Sequence, residues 1–355
     1  MYLKSALLIL CFFSSSFVSG QEGYLNVLNV SDEEGYLFFP VLSGNDTSVT
    51  GKINNHLQLC ELEIINGKRD KSIFDWITRY QIGFYGRKTD MSYQVLSNSD
   101  RNFAVCFDET SCGMTCHYWR SYHNFNPRNG DRYSLLRDFF TEDNYKAFHT
   151  YVTVKRQHCI LLQLYEEKSS HEYIRLFWNN LMPSISKDDL KSYYFNSDSI
   201  FFDSFNLTGK NDPLRYAVDH VVGIAIKDIE PLLNDFGRAA LITGYSLKNL
   251  RSASEPQLYE GCIGDNLDIY MLFREDYKNE DEGITEYSGI YAYKKYGWGI
   301  NLNGKEKDGN FELLESDEDM EDKALLKFSI ENNILKGTWS DLKTNRELFF
   351  KAQRK

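Results

Sequence analysis

The last quarter of the chain leaves the fewest choices of fold. Between residues 287 and 350, six short runs alternate apolar and polar residues: 287–293, 298–302, 311–314, 324–330, 334–339 and 347–350. Alternation at a period of two turns one face of a strand inward and the other outward. The runs are too short for stable helices, and turn dipeptides separate them: Asn303-Gly304, Asp308-Gly309 and Asn332-Asn333. Such pairs accept the positive φ that tight hairpins require. A β-meander or small barrel is therefore expected over 283–355. The polar run YKNEDEG just before it predicts a domain boundary at 276–283.

Upstream the pattern is mixed. Residues 24–40 hold short apolar pieces broken by Asp, Glu and Gly, as strands with turns do. Thr47 or Ser48 can cap a helix carrying Val49, Ile53, Leu57 and Cys60 on one face. Strands are expected at 80–85, 91–97 and 102–107, and a turn at Pro127-Arg128-Asn129-Gly130. A long helical pattern runs from Thr141 to Glu167 with Tyr145, Phe148 and Val152 on one side. Ser186 resembles a helix start, 199–205 and 220–226 read as strands, and a helix from Asp228 through Pro231 to Leu241 stops at Gly244. The expected class is α+β, with mixed, mostly antiparallel sheets and a few packed helices. The domains fall at 21–123 and 124–276, followed by the all-β part.

The N-terminus has the three parts of a signal peptide: Lys4, the apolar run 6–13, and small residues Val18 and Gly20. Cleavage near Gly20 leaves Gln21 first. Cys11 could suggest a lipoprotein, but Leu10 is large for that processing site. The apolar run is too short for a spanning helix and no later stretch is long enough, so no membrane span is expected. A periplasmic or secreted protein follows. Its net charge of −11 becomes −12 once Lys4 is removed. That balance opposes nucleic-acid binding, which needs cations against phosphate. It suits solubility, or a basic partner.

Removal of the leader leaves an even set of cysteines: Cys60, Cys106, Cys112, Cys116, Cys159 and Cys262. In an exported chain these are disulfide candidates, with connectivity open. A rival zinc reading uses Cys112, Cys116, His117 and His123, though the spacing lacks a second close pair. His171-Glu172 begins a zinc-protease pattern, but Arg175 stands where the second ligand belongs. Cys116 and His117 are adjacent, so in a strand they point to opposite faces and make a poor nucleophile pair. The acidic run 315–322 lacks the Gly of a calcium loop. Asn29, Asn45 and Asn206 begin sequons that matter only in a eukaryotic source. No catalytic, cofactor or metal site is assigned. YAYKKYGWG (291–299) is the remaining cluster: Tyr291, Tyr293, Tyr296 and Trp298 either fill the barrel or form a platform for sugar rings, the first being favoured.

Several segments occur in a familiar order: GKINNHLQ (51–58), SYQVLSNS (92–99), NFNPRNGDRYSLLRDFFTEDNYKAF (124–148), YYFNSDSIFFD (193–203) and VGIAIKDIEPLLNDFG (222–237). Over roughly 24–245 the chain resembles the paired extracytoplasmic domains of unknown function found in the lysozyme-sensing anti-sigma factor RsiV. The same domains lie beside the catalytic domain of the peptidoglycan deacetylase PdaC. The resemblance implies an α+β module facing the cell wall without chemistry of its own. The extra C-terminal domain resembles small β-domains appended to exported Bacteroidetes proteins. No functional residue carries over. The expectation is an exported binding module of the bacterial envelope, its ligand a basic protein such as lysozyme or a cell-wall component. The alternative is an envelope hydrolase acting on wall glycan or peptide through dispersed carboxylates.

Overall fold

The computed structural model describes residues 23–65, 73–74, 87–113, 115–166, 171–245, 247–252, 256–279, 282–316 and 322–355. The signal-peptide segment and the strand expected at 80–85 lie outside the described residues.

The N-terminal unit pairs β1 (Asn26–Ser31) with β2 (Phe38–Ser43) and then enters α1 (Thr47–Leu57). The cap of α1 is Asp46, one residue earlier than expected: its carboxylate accepts from the Ser48 and Val49 amides. A carboxylate reaches both amides and suits the positive end of the helix, which outweighs a hydroxyl at Thr47. A single π-turn, Gln58–Leu62, extends the helix and ends at Glu63, whose φ is 53°. Against it packs an antiparallel sheet of β3 (Arg87–Asn98), β4 (Phe103–Cys112) and β5 (Cys116–Phe125). Ile53, Leu57, Leu62, Met91, Phe103, Val105, Phe107 and Phe125 form the core between them.

The second unit is built on α2 (Glu142–Glu166), whose face of Phe148, Val152, Arg156, Ile160 and Leu164 is wholly buried. It covers a small sheet of β6 (Tyr193–Phe195), β7 (Ser199–Asp203) and β8 (Val221–Ala225). Ser186 ends a helical turn, Met182–Ser186, instead of starting one. Asn234 interrupts the expected helix after Asp228, because its side-chain amide donates to the main chain of Asp138 and Phe140. Gly244 does stop it, at φ 63°.

The C-terminal unit is a closed up-and-down barrel of eight antiparallel strands. They are β9 (Tyr259–Ile263), β10 (Leu267–Asn279), β11 (Ile284–Tyr293), β12 (Gly299–Lys307), β13 (Asn310–Ser316), β14 (Asp322–Glu331), β15 (Ile334–Asp341) and β16 (Glu347–Arg354). Closure comes from β16 pairing with β9, so no edge is left open. Two strands precede the six expected. Tyr277, Lys278 and Asn279 of the polar run belong to β10 and pair with Glu286, Thr285 and Ile284 of β11. Asn303-Gly304 lies inside β12: a Cβ on Gly304 would sit 1.9 Å from the Glu312 carbonyl oxygen, so glycine serves close strand approach there, not a turn. Phe273, Phe311, Phe328 and Phe350 fill the interior, with Phe311 and Phe328 stacked 4.9 Å apart.

Candidate functional site

The aromatic cluster of β11 divides between barrel core and seam. Tyr291 is fully buried inside the barrel, where its hydroxyl donates to Glu315, a carboxylate also held by the Trp339 indole. Tyr293 is partly buried with its hydroxyl 3.3 Å from that of Tyr291, and Tyr296 meets it edge-on from an exposed turn. Trp298 pairs with Ile64 across the seam to the N-terminal unit. Main-chain bonds from Ile65 to Gly297 and from Gly299 to Glu63 flank this bridge. Of the four rings, Tyr296 alone is exposed, so the geometry does not bring them together as one stacking face.

Among the cysteines, Cys112 and Cys116 form a disulfide joining the end of β4 to the start of β5. That removes both from the zinc set considered above. Cys60, Cys106, Cys159 and Cys262 are free thiols. Burial pushes the Cys60 thiol up to about 11 and the Cys106 thiol to about 12, so neither is a ready nucleophile.

The densest group of titratable side chains lies where the end of α1 meets the sheet. His56 and Cys60 are one helical turn apart, so both face β5. His123 stands opposite on β5, sharing a sheet face with Ser121. Glu61, in the π-turn, contacts His123 Nε2 and accepts from Ser121 Oγ at 3.0 Å. Lys88 pairs with Glu109 at 2.7 Å and donates to the Glu61 main-chain oxygen. Arg132 Nη1 lies 3.5 Å from His56 Nε2. The edge of His56 meets the Phe125 ring at 5.3 Å. Burial, reinforced by Arg132, holds both imidazoles well below their usual range, so they are neutral at pH 7. Burial first and Glu61 second raise Glu109 to about 9, against the downward pull of Lys88. His56, Cys60 and His123 each offer a donor atom, all within 4.8 Å of one another. Sequence reasoning placed His56 nowhere and Cys60 only among disulfides. The helical spacing of His56 and Cys60 was the available signal.

Three further buried networks join the units. The asparagines of the 124–131 segment replace a missing strand ladder with side-chain amides. Asn124 donates to the Tyr193 carbonyl at 2.9 Å, Asn126 to that of Leu247 at 2.6 Å, and Asn102 to that of Phe195 at 2.6 Å. Asp131, almost fully buried, takes Lys52, Arg251 at 2.8 Å and Arg354 at 3.3 Å onto one carboxylate. It thereby ties α1, the segment before β9 and the last barrel strand together. Asp203 accepts from Tyr122 Oη at 2.6 Å and Arg120 at 3.2 Å.

These observations define an α+β protein with several antiparallel sheets and a closed eight-stranded C-terminal barrel. No helix of the described residues is long and apolar enough to cross a membrane. No family model matches the chain, and no curated protein matches it. A crystal structure of a member of the DUF3298 family from Bacteroides fragilis is similar to it with a TM-score of 0.37 and 14 % identity. That match covers 60 % of this chain and 95 % of the other. No residue role is transferred from it.

Proposed function

We propose that the chain is an exported, non-catalytic binding module of the bacterial envelope that recognises a protein or cell-wall component. The observation that carries this reading is the second apolar face of α2. Tyr151, Val154, Leu162 and Tyr165 recur at helical spacing and are 40 %, 59 %, 43 % and 59 % exposed. The opposite stripe of the same helix is already in the core. A helix needs one apolar face to pack; a second, left in water, supports docking against a partner. The Cys112–Cys116 disulfide and the leader pattern support an oxidising compartment.

The resemblance to the RsiV and PdaC domains, together with the acidic balance, favours a basic partner such as lysozyme. An open cleft of about 640 Å³ on the barrel agrees in sign, since Asp276, Glu282, Glu286 and Glu312 line it against Lys305. The buried carboxylates Glu61, Glu109, Asp131 and Asp203 are engaged with internal partners. The test is affinity for lysozyme over a salt series, beside a second protein of equal basic charge, with wild type and a Val154→Lys/Leu162→Lys variant. Specific binding should outlast screening, which acts beyond about 8 Å at physiological salt, and should be lost in the variant. Equal binding of both basic proteins, abolished by moderate salt, would leave only non-specific attraction.

A further inference from the structure

We infer that His56, Cys60 and His123 form a binding site for a borderline-soft divalent metal ion of the zinc class. Two imidazoles and a thiolate are the donors such ions select over Mg²⁺ and Ca²⁺, which take oxygen. The three donor atoms are gathered within 4.8 Å. A tetrahedral ion at about 2.0 Å from nitrogen and about 2.3 Å from sulfur sets its donors roughly 3.3–3.5 Å apart.

The second observation is the state of His123. Its Nε2 is committed to Glu61, while its Nδ1 is buried and has no hydrogen-bond partner. An orphaned ring nitrogen in a core forfeits its hydration without return unless something occupies it. The carboxylate fixes the tautomer in which Nε2 carries the proton, leaving the Nδ1 lone pair directed away from Glu61. Imidazole held by a carboxylate on one nitrogen and a metal on the other is the usual arrangement in zinc sites. Ser121 in turn holds the Glu61 carboxylate. Glu61 is thus a positioning residue, and the π-turn that places it beside Cys60 is a helix irregularity common at functional sites.

The charge an ion brings is met by the Cys60 thiolate and by the Glu61 carboxylate, which stands next to it on the π-turn and against His123. Cys60 also packs with Leu59, Ile65, Leu258, Leu272 and Ile290, where the barrel docks on the N-terminal unit. An ion there would pin α1 to β5 beside that seam. Its role is structural, with a fourth position for water.

The experiment uses the full chain, stripped with a chelator and titrated with Zn²⁺, with Co²⁺ as the spectroscopic probe. One ion per chain and a thiolate-to-cobalt charge-transfer band are expected. Cys60→Ser and His123→Gln should abolish the band and weaken Zn²⁺ at least 100-fold, while Cys159→Ser and Cys262→Ser leave both unchanged. Glu61→Gln should keep the band and weaken Zn²⁺ by roughly 10–100-fold. No band in the wild type, or a band that survives Cys60→Ser, overturns the assignment. Should the ligand variants fail to fold, alkylation of the native protein decides. Zn²⁺ should slow modification of Cys60 at least tenfold without affecting Cys262, and equal rates with and without Zn²⁺ refute the site.

Discussion

Replacing Asp131 by Asn tests whether one buried carboxylate holds the three units together. The substitution keeps the shape and removes the charge that faces Lys52, Arg251 and Arg354. Arg251 is half in water, so its pair contributes little. Lys52 and Arg354 are enclosed, and breaking a buried pair costs about 3–5 kcal/mol. The two cations respond differently. Burial already lowers Lys52 to about 8, with Asp131 holding it up. Without Asp131 it sheds its proton, which caps its added cost near pH 7 at about 1 kcal/mol, one pKa unit. Arg354 cannot deprotonate and carries the remainder, about 2–3 kcal/mol. The sign with pH follows. A lysine whose folded pKa lies below its unfolded value binds fewer protons when folded, so its contribution to stability rises from about pH 8 to pH 10.5. Above that lower limit Lys52 is neutral in wild type and variant alike. Urea unfolding should therefore show Asp131→Asn destabilised by about 3 kcal/mol at pH 7 and about 1 kcal/mol less at pH 9. Arg354→Met should remove most of the difference in a double-mutant cycle. A loss below about 1 kcal/mol at pH 7, or a loss that grows at pH 9, would refute the account.

The other expectations concern covalent and backbone features. Intact mass should rise by about two daltons on reduction, for one bridge, with Cys112 and Cys116 carrying the label; a second bridge would contradict the four free thiols. Gly337→Ala should prevent barrel closure or cost several kcal/mol, because the new Cβ would stand 1.8 Å from the Lys327 carbonyl oxygen; near-wild-type thermal stability would show that β15 can shift. Asn124→Ala should cost about 2–3 kcal/mol, orphaning the Tyr193 carbonyl and the Phe195 amide, and urea midpoints decide it. Val154→Lys should change stability by about 0.5 kcal/mol or less, since that side chain faces water, and a larger loss would place it in the core.

The parts of this fold that could be read from sequence are those where one local rule dominates. Asp308-Gly309 and Asn332-Asn333 do sit at positive φ in hairpin turns, because nothing but the turn uses them. Asn303-Gly304 fails the same rule because Gly304 is selected by a neighbouring strand, which no local window contains. The strand β10 escaped notice because both of its faces are covered. Ile269, Met271 and Phe273 point into the barrel, while Tyr270 and Leu272 pack on the N-terminal unit. Alternation disappears when the outer face is also buried. The helix α2 was legible from Phe148 and Val152, yet Tyr151 and Val154, which that one-sided pattern leaves out, lie on the other face.

The buried polar sites were illegible for a different reason: each is assembled from residues that are unremarkable alone. A lysine at 52, an arginine at 251 and another at 354 read as solvated charges until the fold brings them to Asp131. The segment 124–131 shows how such residues mislead. Asn124, Asn126 and Asp131 lie in one of the segments that carry the resemblance, which invites a functional reading. In the structure they are the joint itself, with side-chain amides pairing main-chain groups of the second unit and one carboxylate gathering cations from both ends of the chain. Side-chain bonding to main chain requires a donor and acceptor of fixed length, so these positions tolerate little substitution. The exposed face of α2, with Tyr151, Val154, Leu162 and Tyr165, lies outside this joint.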